Sequence, residues 1–365
     1  MPPDPLKPGA TIGILGGGQL GRMLAIAAAK LGLKAAVYAE KEKSPAFHAA
    51  YRHCHRPYGD EAALSEFAKG CDVVTFEFEN VPADALRLAG QFAPVRPSPR
   101  AAAIAQDRIT EKRFLSKLGL VTAPHIILQN DEDVAEAVRF LPPVGSAILK
   151  RAREGYDGKG QKLVTTASEL TAAFTGFAAP CVLEARLTFE MEISVIAVRA
   201  LDGRVYCYDC TENTHRAGIL HESSVPARCA GEIQARAKDC ARRIADALDY
   251  VGVLGVEFFV APKELPEPLA VNEIAPRVHN SGHWTLDACV VSQFENHIRA
   301  IAGWPIGSVA RHSDAVMTNL LGEDVLQWQS ILEDDPSACL YLYGKLEVRP
   351  GRKLGHVTRI RPQAK

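Results

Sequence analysis

Lys150 closes the strand-like run Ala147-Ile148-Leu149-Lys150, and Glu154-Gly155-Tyr156-Asp157-Gly158-Lys159-Gly160-Gln161 follows it. Glycines 155, 158 and 160 make a loop whose backbone N–H groups can approach an anion closely. Lys150 on the strand and Lys159 in the loop add point charges suited to phosphate oxygens. Tyr156, Asp157 and Gln161 exceed what a turn requires, since a turn needs only backbone chemistry. The segment reads as a lid over a nucleoside triphosphate. A hairpin turn with surface lysines is the plainer alternative.

Toward the N-terminus, Thr11-Ile-Gly-Ile-Leu-Gly16 reads as a buried strand. Gln19–Leu31 reads as a helix with Leu20, Met23, Leu24, Ala27 and Leu31 on one face. Strands at Ala35–Tyr38 and Cys71–Glu79 continue a βαβ rhythm, which implies a parallel sheet with helices on its faces. Gly16-Gly17-Gly18-Gln19-Leu20-Gly21 matches G-x-G-x-x-G, and Glu40 lies 19 residues after Gly21. This is the full dinucleotide fingerprint, so an NAD-dependent enzyme is a rival reading. Its physical content is broader, because a glycine-led helix N-terminus suits any phosphate, including that of a sugar monophosphate near Gln19. Glu77 and Glu79, at a strand's carboxyl end where α/β crevices bind ligands, suit ribose hydroxyls or an amino group.

Pro94-Val-Arg-Pro-Ser-Pro99 marks a first boundary, and a helix is expected from about 107 to 118. Short strands and a helix over 168–177 surround the glycine loop. Paired strands at 190–198 and 203–208, an amphipathic helix at 231–250, and strands at 253–260 and 269–274 come next. The residues after Pro305 read as a small strand-rich cap.

Glu257 and Glu273 each interrupt a strongly apolar strand. A hairpin centred on Leu265 places them opposite each other, where like charges repel. A hard cation between them removes that cost, and Mg²⁺ is held by one or two carboxylates plus phosphate oxygens. Asn272 joins as a third oxygen ligand only if a bulge breaks the alternation. Arg277-Val-His279-Asn280-Ser-Gly-His283 follows at once, dense enough in donors to suggest an anion site. Lys345, Arg349, Arg352 and Lys353 form a basic cluster near the end of the chain.

A chain of 365 residues implies two or three domains. Its net charge of −1 provides no field for nucleic acid or an anionic membrane. The proline-rich start is not a secretory signal, and no apolar run is long enough to span a bilayer. Nine cysteines without disulfide-like spacing fit a reducing, cytoplasmic setting. Cys207-x-x-Cys210 lacks the further ligands a zinc site needs and reads as strand.

These stretches resemble the ATP-grasp superfamily and, within it, the N5-carboxyaminoimidazole ribonucleotide synthetases. The resemblance rests on Gly13–Met23, Thr75–Asn80, Gly155–Gln161, Gly255–Phe259, Asn272–Arg277 and His279–Thr285, in family order over nearly the whole chain. It implies an α/β protein, α+β in the ATP-grasp body. A Rossmann-like domain would span 1–101, an ATP-grasp domain 102–305 (small lobe about 120–185) and a strand-rich cap 306–365. It implies ATP-dependent carboxylation of aminoimidazole ribonucleotide with bicarbonate and Mg²⁺, by a homodimer.

By the same resemblance, Arg108, Lys150, Gly155, Tyr156, Gly158, Lys159, Gly160 and Gln161 would contact ATP. Glu184 and Leu187 would hold adenine, Glu192 the nucleotide ribose, and His215 would lie nearby. Glu257 and Glu273 would hold Mg²⁺ with Asn272 alongside. Gln19, Leu20, Glu77, Tyr156, Asp157, Lys345 and Arg352 would surround the ribonucleotide. Arg277, His279, Asn280 and Lys345 would surround bicarbonate, with Asp157 orienting or deprotonating the amine. Two departures stand out: Glu184-Ala-Arg-Leu-Thr-Phe replaces the usual Glu-Lys-x-Val-Pro-Phe, and Val278 replaces a proline. A sister ATP-grasp ligase acting on a different ribonucleotide with formate or another carboxylate, an NAD-dependent dehydrogenase and a catalytically silent nucleotide-binding module remain as alternatives.

Overall fold

A computed structural model describes residues 4–155 and 160–363. The predicted lid residues Tyr156, Asp157, Gly158 and Lys159 lie outside the described residues.

Four parallel strands form the N-terminal sheet: β1 (Thr11–Leu15), β2 (Lys34–Ala39), β3 (Arg52–His55) and β4 (Val73–Phe76), in the order β3-β2-β1-β4. The predicted strand 71–79 is shorter than expected and ends at Phe76, so Glu77 and Glu79 sit in the following loop. The Gln19–Lys30 helix buries Leu20, Met23 and Leu24, as its periodicity requires.

The antiparallel small lobe consists of β5 (His125–Leu128), β6 (Ala147–Arg151), β7 (Gln161–Val164) and β8 (Cys181–Ala185), in the order β5-β8-β6-β7. Lys150 pairs with Gln161, and Arg151 N donates to Gly160 O at 2.8 Å. Strands β6 and β7, which flank the glycine loop in sequence, are therefore antiparallel neighbours.

The remaining strands form one antiparallel sheet: β9 (Met191–Arg199), β10 (Val205–Cys207), β11 (Thr211–Arg216), β12 (Ile219–Val225), β13 (Gly252–Val260), β14 (Leu269–Ala275), β15 (Asp314–Leu321), β16 (Cys339–Leu342) and β17 (Lys353–Arg361). Their order is β14-β13-β9-β11-β12-β15-β17-β16, with β10 on β9. The C-terminal residues are strand-rich, as their composition suggests, and β15–β12 pairing makes them a continuation of the large sheet.

Strand alternation assigns the two faces of this sheet. Leu254, Val256 and Phe258, with Ile193, Val195 and Ala197, pack beneath Ala237, Ala241 and Ile244 of the 231–247 helix. Val253, Gly255 and Glu257 face the other way, toward the Arg277–His283 segment. Ser194 on β9 lies directly opposite Glu257, and Asn213 on β11 lies opposite both Glu192 and Ser223. A polar band thus crosses β13, β9, β11 and β12 on one face. Cys207 and Cys210 are buried free thiols.

Candidate functional site

The β13–β14 ladder pairs Val260 with Leu269 and Phe258 with Val271, then slips by one residue and resumes at Val256–Ile274. Glu257 therefore opposes both Asn272 and Glu273, the two-against-one arrangement of a β-bulge. The Asn272 amide donates to Glu257 Oε2 at 3.3 Å. Burial and the Glu273 charge hold the Glu257 carboxyl above the usual range. Glu273 Oε2 receives Arg108 Nη1 at 3.3 Å. Two crowded carboxylates with hard oxygen donors fit a divalent cation, although no cluster of three or more His, Cys, Asp and Glu suited to a metal occurs among the described residues.

Helix Arg108–Lys117 supports the bulge through residues that the sequence reading missed. Glu111 accepts from Ile274 N at 2.7 Å, and Lys112 donates to Asn272 O at 3.4 Å. Both side chains are almost wholly buried, and burial pushes the Glu111 carboxyl up to about 7. Nothing in the helix sequence marks these two charges as buried, since charged residues are ordinarily exposed.

Lys112 Nζ also lies 3.3 Å from Glu184, whose other oxygen takes Lys150 Nζ at 2.9 Å. Burial opposes ionisation of Glu184, but the two lysines hold its carboxyl well below the usual range. Burial lowers the Lys150 ammonium despite Glu184. The side chain expected to contact adenine is thus engaged by two lysines. Leu187 packs in a separate apolar cluster with Ala123 and Ala270. Glu192 Oε2 lies 2.8 Å from His215 Nδ1. Burial lowers His215, but Glu192 more than offsets it, and the imidazole is raised.

In the donor-rich segment, Arg277 Nε pairs with Glu79. Burial would raise the Glu79 carboxyl, but Arg277 outweighs it and lowers it. His279 Nε2 lies 3.4 Å from Glu257 Oε1. Gly255 permits this approach, because a Cβ there would stand 2.9 Å from the His279 Cβ. Asn280 exchanges two hydrogen bonds with Asn319, at 3.0 and 2.8 Å. A narrow cleft gathers Glu79, Arg108, Gly155, Glu273 and Arg277.

The N-terminal helix corrects one expectation. Its Gly18 and Gly21 N–H groups donate to Glu77 at 2.9 and 3.2 Å, so a buried carboxylate already caps it. A pyrophosphate seated on these groups would have to displace Glu77, which weakens the dinucleotide reading. Glu40 instead accepts from Tyr58 N at 3.1 Å. Gln19 is half-buried at the helix start, while the Leu20 side chain lies in the core. Near the C-terminus, Lys345 Nζ donates to Lys353 O at 2.8 Å, and Arg352 donates to Glu347 O at 3.0 Å.

The ATP-grasp domain family matches residues 113–294. The ribonucleotide synthetase preATP-grasp domain matches 9–106, and the phosphoribosylaminoimidazole carboxylase C-terminal domain matches 315–365. The N5-carboxyaminoimidazole ribonucleotide synthase of Brucella melitensis is 49% identical over 362 residues, covering 98% of each chain. The crystal structure of an ADP complex of N5-carboxyaminoimidazole ribonucleotide synthetase matches with TM-score 0.92 and 39% identity, covering 98% of this chain and 94% of that one. The Aspergillus clavatus enzyme in complex with ADP and 5-aminoimidazole ribonucleotide matches with TM-score 0.88 and 32% identity, covering 97% and 94%. At such identity over nearly its full length, the chain belongs to the N5-carboxyaminoimidazole ribonucleotide synthase family of ATP-grasp enzymes.

Proposed function

We propose that this protein uses ATP and bicarbonate to carboxylate the exocyclic amine of 5-aminoimidazole ribonucleotide, yielding N5-carboxyaminoimidazole ribonucleotide in purine biosynthesis. The observation that carries the reading is the convergence of Arg108, Gly155, Glu273 and Arg277 on one cleft. It joins the glycine-loop end of the small lobe, one carboxylate of the Glu257 and Glu273 pair and a half-buried guanidinium, as coupling a triphosphate to a small anion requires.

Bicarbonate oxygen attacks the γ-phosphorus as the bond to ADP breaks, giving carboxyphosphate. This collapses to CO₂ and phosphate, and the amine nitrogen captures CO₂ and loses a proton. The protein's part is positioning and charge neutralisation. Lys150, Arg108, Gly155, Gly158, Lys159, Gly160 and Gln161 hold the triphosphate. Glu184, Leu187, Glu192 and His215 hold the nucleoside. Glu257 and Glu273, with Asn272 alongside, would hold Mg²⁺, which would supply charge neutralisation to the phosphates. Arg277, His279, Asn280 and Lys345 bind bicarbonate. Gln19, Leu20, Glu77, Tyr156, Lys345 and Arg352 bind the ribonucleotide. Asp157 orients the amine or takes its proton, and the 155–161 segment acts as a lid that excludes water. The functional parts are 1–101, 102–305 and 306–365, in a cytoplasmic homodimer.

ADP release from Mg-ATP and bicarbonate tests this reading. Stimulation by aminoimidazole ribonucleotide, with labelled bicarbonate entering an acid-labile product, is expected. Stimulation only by formate with glycinamide ribonucleotide would move the protein to a sister ligase activity.

A further inference from the structure

Beneath His279 runs a buried line of small polar side chains drawn from three strands and the loop itself. Ser223 Oγ donates to Asn213 Oδ1 at 2.8 Å, and Asn213 Nδ2 donates to Ser194 Oγ at 3.0 Å. Ser194 Oγ donates to Ser281 Oγ at 2.6 Å, and Ser281 Oγ lies 2.8 Å from His279 Nδ1. All five residues are buried, and the three serines are wholly so. Three such residues on a sheet face that is apolar farther along, at Ile196 and Val198, with a fourth on the loop above them, call for an explanation. Buried polar groups are retained where every member is satisfied and the network fixes something.

The direction of the donors decides what is fixed. Ser194 accepts from Asn213 and gives its proton to Ser281. Ser281 then has its own proton free for His279, so Nδ1 is an acceptor. Reversing the line with a flipped Asn213 amide would put a proton on Nδ1. That proton would face the Ser281 backbone N–H, which already points at Nδ1 at 3.4 Å. Two donors would then abut. In the neutral ring the proton therefore sits on Nε2, the atom 3.4 Å from Glu257 Oε1. Gln293 fixes the backbone as well, accepting from His279 N at 2.9 Å and donating to His279 O at 2.7 Å.

We infer that the Ser223–Asn213–Ser194–Ser281 line locks His279 in the Nε2–H tautomer, so that it presents a hydrogen-bond donor to Glu257 and to an oxyanion bound beside it. His279 is then neither a general base nor a metal ligand through Nε2. Ser281, Ser194 and Asn213 are positioning residues that act through it. This rests on the proposed reading only where the oxyanion is named as bicarbonate.

The test uses the full chain labelled with ¹⁵N-histidine, with His279→Gln identifying the resonances. Two-bond ¹H–¹⁵N spectra of the substrate-free protein are expected to show a protonated Nε2 and an unprotonated Nδ1. Asn213→Asp removes the donor and reverses the line. It should shift His279 toward Nδ1–H and raise the bicarbonate KM about tenfold, the scale of one buried hydrogen bond, with the ATP KM unchanged. Ser194→Ala, which frees Ser281 Oγ to accept, moves both readouts the same way and serves if the aspartate variant fails to fold, whereas Ser281→Ala keeps the backbone N–H aimed at Nδ1 and should retain the native tautomer. A native Nδ1–H ring, or Asn213→Asp and Ser194→Ala variants with native tautomer and native bicarbonate KM, would overturn the inference. A changed tautomer with an unchanged bicarbonate KM would overturn its functional half. The spectra need no substrate, so a chain without bicarbonate-dependent turnover would refute the proposed reaction while leaving the tautomer measurable.

Discussion

Glu257 faces Asn272, whose amide reaches its carboxylate at 3.3 Å, and a bulge in the β13–β14 ladder brings Glu273 opposite the same residue. In a regular hairpin only one of Asn272 and Glu273 could share the face of Glu257. The slip gathers two carboxylates and an amide at one point, with Glu111 and Lys112 tied to the bulged backbone. Glu273→Gln is expected to cut ADP release by more than about a hundredfold, the scale of an electrostatic contribution at a reacting centre. Asn272→Ala should instead raise the Mg²⁺ concentration at half-maximal rate. Normal magnesium dependence in both variants would refute the cation assignment.

Glu184 neutralises two buried lysines at once. Glu184→Gln leaves both without a counter-charge and should cost about 3–5 kcal/mol in urea denaturation, as for other broken buried ion pairs. Adding Lys112→Met should restore part of that loss. A single variant as stable as the parent would show that the lysines find other partners.

At Gly16, φ is +115° and an added Cβ would stand 2.5 Å from the Glu77 Cγ. Gly16→Ala is expected to lose about 1–3 kcal/mol from backbone strain alone. It should also push Glu77 off the Gly18 and Gly21 N–H groups, raising the KM for aminoimidazole ribonucleotide. Retention of both stability and KM would exclude the close approach.

Acid should destabilise the fold through buried histidines. His297 accepts from Val253 N at 3.1 Å and lies 2.8 Å from Thr75 Oγ1, joining the N-terminal and large sheets. Burial lowers His297 to about 3 and His356 likewise to about 3. Unfolding returns each toward about 6.5, so between these values the unfolded chain holds more protons. Stability present above the unfolded value is therefore lost as pH falls through that window. Each histidine contributes a slope of up to about 1.4 kcal/mol per pH unit. Urea midpoints should drop between pH 7 and pH 5, and His297→Gln should flatten the slope by one share. A midpoint independent of pH would contradict the argument.

Asp157→Asn and Lys345→Ala are each expected to reduce carboxylation by more than about a hundredfold. Labelled bicarbonate incorporation is the readout, and near-normal turnover in the double variant would remove both residues from the mechanism.

Much of this was legible from local pattern. Alternation in Val253–Val260 placed Glu257 on the face opposite Val256 and Phe258, and that is where it lies. The glycine loop was recognisable because three glycines beside two lysines is an unusual composition. The position of Glu77 at a strand's carboxyl end marks it as a site residue, but its bonds to Gly18 and Gly21 depend on β4 lying beside β1, which no local spacing encodes. Glu111, Lys112 and the Ser194–Asn213–Ser223 band escaped notice because each looks unremarkable within its own element.

Periodicity, glycine spacing and paired acids are properties of neighbours along the chain, so the principal elements, the family and the residue types of the site could be read from it directly. The bulge that sets Asn272 and Glu273 together against Glu257, the capture of Glu184 by two lysines, and the tautomer of His279 arise only in the folded chain. Each depends on donors and acceptors from distant segments meeting in a buried place, where an unsatisfied polar group is costly and geometry therefore selects the partner.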